Sequence, residues 1–162
     1  MRRFVKTFAL VAHLVLVDAI VKEIAAGTLK GAAAFSVIPG FFNLAYVENR
    51  GCAWGMFQGQ VWPLAAFGVA ALALLVWKRR AVFGEAFWTP GLLYAGIIGN
   101  LIDRICRGYV IDLFDFHWQE AYHFPCFNVA DSCICIAAGL MILASLAEGK
   151  AKKGADVRSD RT

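Results

Sequence analysis

The stretch NLIDRICRGYVIDLFDFHWQEAYHFPCFNVAD, residues 100–131, decides how the rest of the chain is read. It starts inside one apolar run and ends where the next begins. Between them lies a short polar and aromatic link carrying Asp112, Asp115, His117, Glu120 and His123, with Asp112 and Asp131 near its two ends. If both runs cross a bilayer as helices, the link lies at one membrane face and the two carboxylates can meet near the headgroups. Two carboxylates ~3 Å apart cannot both ionise readily, so one keeps a proton. The anion can then draw a proton from a water held between them, while the acid hydrogen-bonds a carbonyl and later protonates a leaving amine. Asp131 stands near a helix start, where the dipole favours the anion. Asp112 follows Gly108 and sits among Val110, Ile111 and Leu113, apolar neighbours that favour the protonated form. The same residues admit a structural reading. Asn128-x-x-Asp131 is also a helix N-cap followed by an acidic residue, and Asp112 is also compatible with a solvated loop.

Outward from this stretch the chain is strongly apolar. Hydrophobic residues make up 60% of its 162 positions, against ~45–50% in an ordinary soluble domain. The mean hydropathy is +0.61. Charged residues are only 17%, too few to cover a soluble core of this size. One compact membrane domain is the expectation, with four spans at about 4–26, 61–77, 87–105 and 129–147. The polar tail from 148 to 162 shows no apolar period and is expected to lack regular structure.

The first span resembles a secretory signal sequence at its start, with Arg2, Arg3 and Lys6 before an apolar run. Asp18 and Lys22 interrupt that run, so it is read as retained. These two are four residues apart with the acid first, the favourable order for an ion pair on one helix face. An ionisable pair within a span faces the protein interior or water. It serves either as a structural pair, with Lys22 reaching towards the headgroups, or as a substrate-facing one. His13 is expected to be packed. Pro63 and Pro90 lie in first turns, where proline is tolerated. Gly91, Gly96 and Gly99 permit close helix contact.

The loop 27–60 is rich in glycine. Its segment 41–47 reads as a strand and Asn49-Arg50-Gly51 as a turn, so a small β element on the membrane face is expected. The Asn49 amide can donate to a peptide backbone or form an Asx turn. Orientation follows from the basic residues. Arg2, Arg3, Lys6, Lys78, Arg79, Arg80 and five more in the tail are eleven of the sixteen lysines and arginines, and all fall on one side when four spans are drawn. By the positive-inside rule both termini are cytoplasmic. The loops holding Asn49, Asp112 and Asp131 then share the outer face. The net charge of +4 thus serves topology, and no nucleic-acid partner is expected.

The five cysteines are an odd number, so one at least is unpaired within the chain. Cys133 and Cys135 are read as apolar fillers, and a Cys106–Cys126 disulfide is an option on an oxidising face. A metal site from His117, His123, Asp115 and Glu120 is not expected, because the histidines share no recognisable ligand spacing. Two readings compete with a hydrolase. A proton-coupled carrier using Asp18, Lys22 and Arg104 requires polar residues spread through the bilayer depth, whereas most here gather towards one face. A structural subunit leaves that gathering without a purpose.

The motifs Asp18-x-x-x-Lys22, Asn49-Arg50-Gly51-Cys52-Ala53-Trp54-Gly55, Gly99-Asn100-Leu101-Ile102-Asp103-Arg104, Gly108-Tyr109-Val110-Ile111-Asp112 and Phe127-Asn128-Val129-Ala130-Asp131 occur in that order. In them the chain resembles the bacterial lipoprotein signal peptidases, signal peptidase II, across nearly its whole length. The resemblance implies a four-helix α-class membrane fold of the inner membrane. It further implies a β-cradle before the second span and a short amphipathic helix before the fourth. It implies cleavage of diacylglyceryl-modified prolipoproteins just before the lipidated cysteine, without metal or cofactor. Asp112 and Asp131 correspond to the family's catalytic aspartates. Asn49, Asn100, Arg104 and Asn128 correspond to substrate-facing residues, Asp18 and Lys22 to the entrance or its support, Asp103 to an ion-pair partner and Gly51 to the site's frame. The expected partners are lipid-modified prolipoproteins and membrane lipids, met by a monomer. Cys52, Ala95 and Leu113 depart from the usual alanine, glycine and phenylalanine. Asp115 is the nearest rival to Asp112.

Overall fold

The computed structural model describes residues 2–119 and 121–159. Glu120, the remaining polar residue of the link, and residues 160–162 of the tail lie outside the described residues. Among the described residues five α-helices and four strands follow in the order α1 (Arg2–Thr28), β1 (Phe35–Ile38), β2 (Phe42–Asn49), α2 (Val61–Trp77), α3 (Arg79–Phe83), α4 (Trp88–Arg107), β3 (Val110–Trp118), β4 (Tyr122–His123) and α5 (Val129–Ser159). Helices α1, α2 and α4 begin and end within two residues of the apolar stretches 4–26, 61–77 and 87–105, whereas α5 begins at Val129 and runs well beyond residue 147. Pro63 and Pro90 occupy first turns, where their missing N–H costs nothing. The end of α4 is set by Gly108, whose φ of +75° favours a residue without Cβ, and whose N–H donates to the Arg104 carbonyl at 3.2 Å.

The bundle is apolar outside and polar inside. Phe4, Phe8, Leu16, Phe67, Trp77 and Leu143 are all exposed, while Lys22, Asn128 and Asp112 rank among the largest fully buried side chains. Helix α4 packs on α1, α2 and α5 and carries the polar interior. Its glycines set the spacing. A Cβ at Gly96 falls 2.4 Å from the Ala130 carbonyl oxygen and 2.5 Å from Ile134. At Gly99 it falls 2.7 Å from the Asp18 carboxylate. Gly96→Ala must therefore push α5 away from α4. We expect a loss of about 1–3 kcal/mol, visible as a lower unfolding temperature in detergent, with activity reduced because Ala130 adjoins Asp131.

The β element is larger than the sequence suggested. It is a four-stranded antiparallel sheet of order β1-β2-β3-β4. The link before the last helix forms β3, not the short amphipathic helix expected from the family resemblance. Its sequence VIDLFDFHW is rich in β-branched and aromatic residues, and β2 exposes backbone groups that need a partner. The β2–β3 register pairs Val47 with Asp112, Asn49 with Val110 and Asn43 with Asp115, with an irregularity between Leu44 and Val47. Asp112 is thus a buried strand residue and not a solvated loop residue.

Other expectations are corrected. His13 is exposed on the outer surface of α1, not packed. Lys22 does not reach outward; it is 1% exposed. All five cysteines are free, so Cys106 and Cys126 are not paired; Cys133 is buried and Cys135 exposed. The basic link after α2 contains a short helix, α3. Helix α5 continues to Ser159, through most of the tail expected to be irregular, where alanine, lysine and glutamate favour helix.

Candidate functional site

The site is built around one buried ammonium. Lys22 of α1 meets Asp18 one turn earlier at 2.7 Å, and Asp103 and Asn100 of α4 at 2.9 and 3.3 Å. An ammonium has three protons, and each has a partner here. Both carboxylates then hold a backbone N–H. Asp18 accepts from Ala130 at 2.8 Å, and Asp103 accepts from Ile111 at 3.1 Å. Ala130 immediately precedes Asp131, and Ile111 immediately precedes Asp112. Lys22 is therefore coupled through two carboxylates to the backbone on either side of the candidate pair. Arg107 is a third partner of Asp103, at 3.1 Å.

The amides set the polarity of the site. Lys22 has only protons to give, so Asn100 turns its carbonyl oxygen to it and its amide to Asp131 Oδ1, at 2.7 Å. Asn128 turns its oxygen to the Asp131 N–H at 2.9 Å, while Asp131 Oδ2 accepts the Asn128 N–H at 3.2 Å. This reciprocal pair is a capping box at the start of α5. The Asn128 amide is left free to donate to Asp112 Oδ1 at 2.8 Å and to Asn100 Oδ1 at 3.1 Å. Asn49 accepts the Gly51 N–H at 2.9 Å, which completes an Asx turn, and donates its amide to Asp112 Oδ2 at 2.9 Å. The turn and the functional contact thus coexist. Asn128 joins both carboxylates, so Asp112 and Asp131 are one residue's reach apart.

Arg104 donates to the Gly51 carbonyl at 3.0 Å and to the Asn100 carbonyl at 3.4 Å, tying α4 to the turn after β2. A Cβ at Gly51 falls 2.4 Å from the Met56 carbonyl oxygen, so this turn closes only on glycine. Burial pushes the Asp112 carboxyl up to about 7, helped by the nearby Asp131 charge and opposed by the Asn49 and Asn128 amides. A cleft of ≈ 480 Å³ opens beside Asp112, walled by β2, the turn that follows it and the segment from His123 to Cys126. Asp115 also lines this cleft but belongs to a separate group, bonded to Asn43 at 3.2 Å and His123 at 3.1 Å. His117 and His123 stack with ring centroids 5.1 Å apart. Among the described residues no three His, Cys, Asp or Glu side chains converge as metal ligands.

The sequence model of the signal peptidase (SPase) II family matches residues 10–147. The chain belongs to the signal peptidase II family. A lipoprotein signal peptidase of Clostridium acetobutylicum is 41% identical over 133 residues, which cover 80% of this chain and 85% of that protein. Another, of Oleidesulfovibrio alaskensis, is 42% identical over 149 residues, covering 88% and 95%. Among solved structures, a bacterial membrane enzyme determined by the in meso method at 2.3 Å shares 31% identity and superposes with a TM-score of 0.79 over 91% of this chain and 90% of that one.

The ten residues picked out as the candidate site are brought together here. Asp112, Asp131, Asn49, Asn100 and Asn128 form one hydrogen-bonded set; Asp18, Lys22 and Asp103 lie behind it; Arg104 and Gly51 frame its edge. The backbone N–H groups of Ile111 and Ala130 were not foreseen. They leave no trace in residue type, and only the fold brings them to Asp103 and Asp18.

Proposed function

We propose that this chain is a membrane aspartyl endopeptidase that removes the signal peptide from diacylglyceryl-modified prolipoproteins, cleaving before the lipidated cysteine. One observation carries the assignment of Asp112 and Asp131 as the catalytic pair: Asn128 bonds both of them, while Asp115 is held apart by Asn43 and His123. Asp131 accepts N–H groups from Asn100 and Asn128 and stands in the first turn of α5, where the helix dipole favours the anionic partner. Asp112, raised by burial, holds the proton. Asp131 takes a proton from the water as its oxygen adds to the scissile carbonyl, and Asp112 hydrogen-bonds the carbonyl oxygen. The tetrahedral carbon then expels the amine of the lipidated cysteine, which leaves with a proton from the pair. Asn49 and Arg104 border the space for the peptide backbone.

In this reading α1, α2, α4 and α5 are four spans of the bacterial inner membrane. Helices α1 and α5 are long and apolar enough to cross, the latter over Val129–Ala147, and α2 is apolar over 17 residues. Helix α4 is 20 residues long and turns its polar side inward. Both termini are cytoplasmic and the sheet lies on the outer face. The enzyme works as a monomer on its lipid-anchored substrate, among membrane lipids, with no cofactor, metal or nucleic acid.

The reading is tested by pH. Asp112 must be protonated in the resting enzyme, so kcat/KM for a lipidated prolipoprotein should fall as pH rises through about 7, the value to which burial lifts this carboxyl. A profile flat from pH 6 to 9 contradicts the assignment. Cleavage should also be indifferent to EDTA, whereas activity lost to chelator and restored by a divalent cation points to a metallopeptidase.

A further inference from the structure

The cleft beside Asp112 has an uneven charge. Among the described residues its walls contain three acidic side chains, Glu48, Asp115 and the protonated Asp112, and no lysine or arginine. All the lining residues come from the sheet and the segments attached to it, and none from the long helices. The cleft therefore lies on the side of Asp112 away from the helical bundle. A signal peptide and two acyl chains belong with the helices and the bilayer. What remains to fill this cleft is the polypeptide on the far side of the scissile bond, namely the residues that follow the lipidated cysteine.

We infer that Asp115, with Glu48, makes the enzyme selective for the charge of the first residues of the mature lipoprotein, favouring lysine or arginine and disfavouring aspartate or glutamate. This rests on the proposed cleavage reaction and names a determinant that the reaction itself does not need. Asp115 is held in place from two sides, by the Asn43 amide at 3.2 Å and the His123 ring at 3.1 Å, with its side chain 17% exposed. A fixed, half-buried charge acts on a bound peptide more strongly than a mobile surface one, because water screens it less. Glu48 is a weaker contributor, since Lys30 at 3.2 Å and Arg50 at 3.7 Å already face it from outside the cleft. Trp54 and Phe124, which meet edge to face at 5.6 Å, line the same cleft.

The test uses the full-length enzyme in detergent or lipid and three prolipoproteins differing only at the second to fourth mature positions, carrying lysine, serine or aspartate. The lysine substrate should be cleaved with a kcat/KM roughly tenfold above the aspartate one, a size set by one or two charge pairs at a few ångströms in a partly wet site. The ratio should shrink as salt is raised, and it should fall towards one in Asp115→Asn. The salt series needs no variant and so stands even if Asp115→Asn disturbs the sheet. Equal cleavage of the three substrates, or preference for the aspartate one, overturns the inference. Cleavage of none of them, the serine substrate included, counts instead against the peptidase reading.

Discussion

Asp112→Asn and Asp131→Asn should each lower the cleavage rate by at least ~1000-fold while leaving the protein folded, because each removes one half of a proton-transfer pair. The two losses should not add. A water needs both an acceptor for its proton and an acid on the carbonyl, so the double variant should be about as slow as either single one. Asp115→Asn is the decisive control, since that carboxylate lines the same cleft but is bonded to Asn43 and His123. It should retain cleavage of a neutral substrate far above the level of either active-pair variant. Folding is checked by unfolding temperature and retention volume in detergent. The amide fits the space of the carboxylate, although at Asp131 it presents an N–H to donors from Asn100 and Asn128, and a modest drop in stability is expected there.

The second large effect should come from Lys22→Met. The substitution keeps most of the side-chain volume but leaves Asp18 and Asp103 buried without the ammonium that lies 2.7 and 2.9 Å from them. Breaking a buried ion pair from one side costs about 3–5 kcal/mol, a large part of the stability of a chain this size. Because Asp18 and Asp103 hold the N–H groups of Ala130 and Ile111, the loss should reach Asp131 and Asp112 as well. Thermal unfolding in detergent measures the first effect and kcat the second. Lys22→Arg should not restore either. A planar guanidinium cannot direct its protons to three partners that surround a compact ammonium. A variant as stable and active as the parent shows that the three contacts are incidental.

Much of this could be read from residues alone, for identifiable reasons. The apolar runs could only be helices, and prolines, glycines and basic clusters marked their ends to within a few residues, except at the end of α5. Polar side chains inside such runs had to face inward, which brought Asp18, Lys22, Asn100 and Asp103 to one interior. The capping spacing of Asn128 and Asp131 was visible, but spacing alone did not decide between cap and catalysis. The structure shows that Asn128 does the capping with its oxygen and reaches Asp112 with its amide. The strand β3 was missed because its pairing with β2 is a contact between distant segments, without a local signature. The same holds for the backbone bonds at Ile111 and Ala130. His13 was misplaced because a single histidine in an apolar helix does not reveal which face it occupies, and the tail because a charged segment was taken for an unstructured one.

The central claim is that Asp112 and Asp131 share one proton and one water. It is tested most directly by an experimental structure with a lipidated substrate analogue whose scissile carbonyl is replaced by a carbon bearing a hydroxyl. The account predicts that hydroxyl within hydrogen-bond distance, ~2.5–3.0 Å, of an oxygen of Asp112 and an oxygen of Asp131 together. A hydroxyl bound by Asp115, by a metal ion, or by only one of the two aspartates contradicts it.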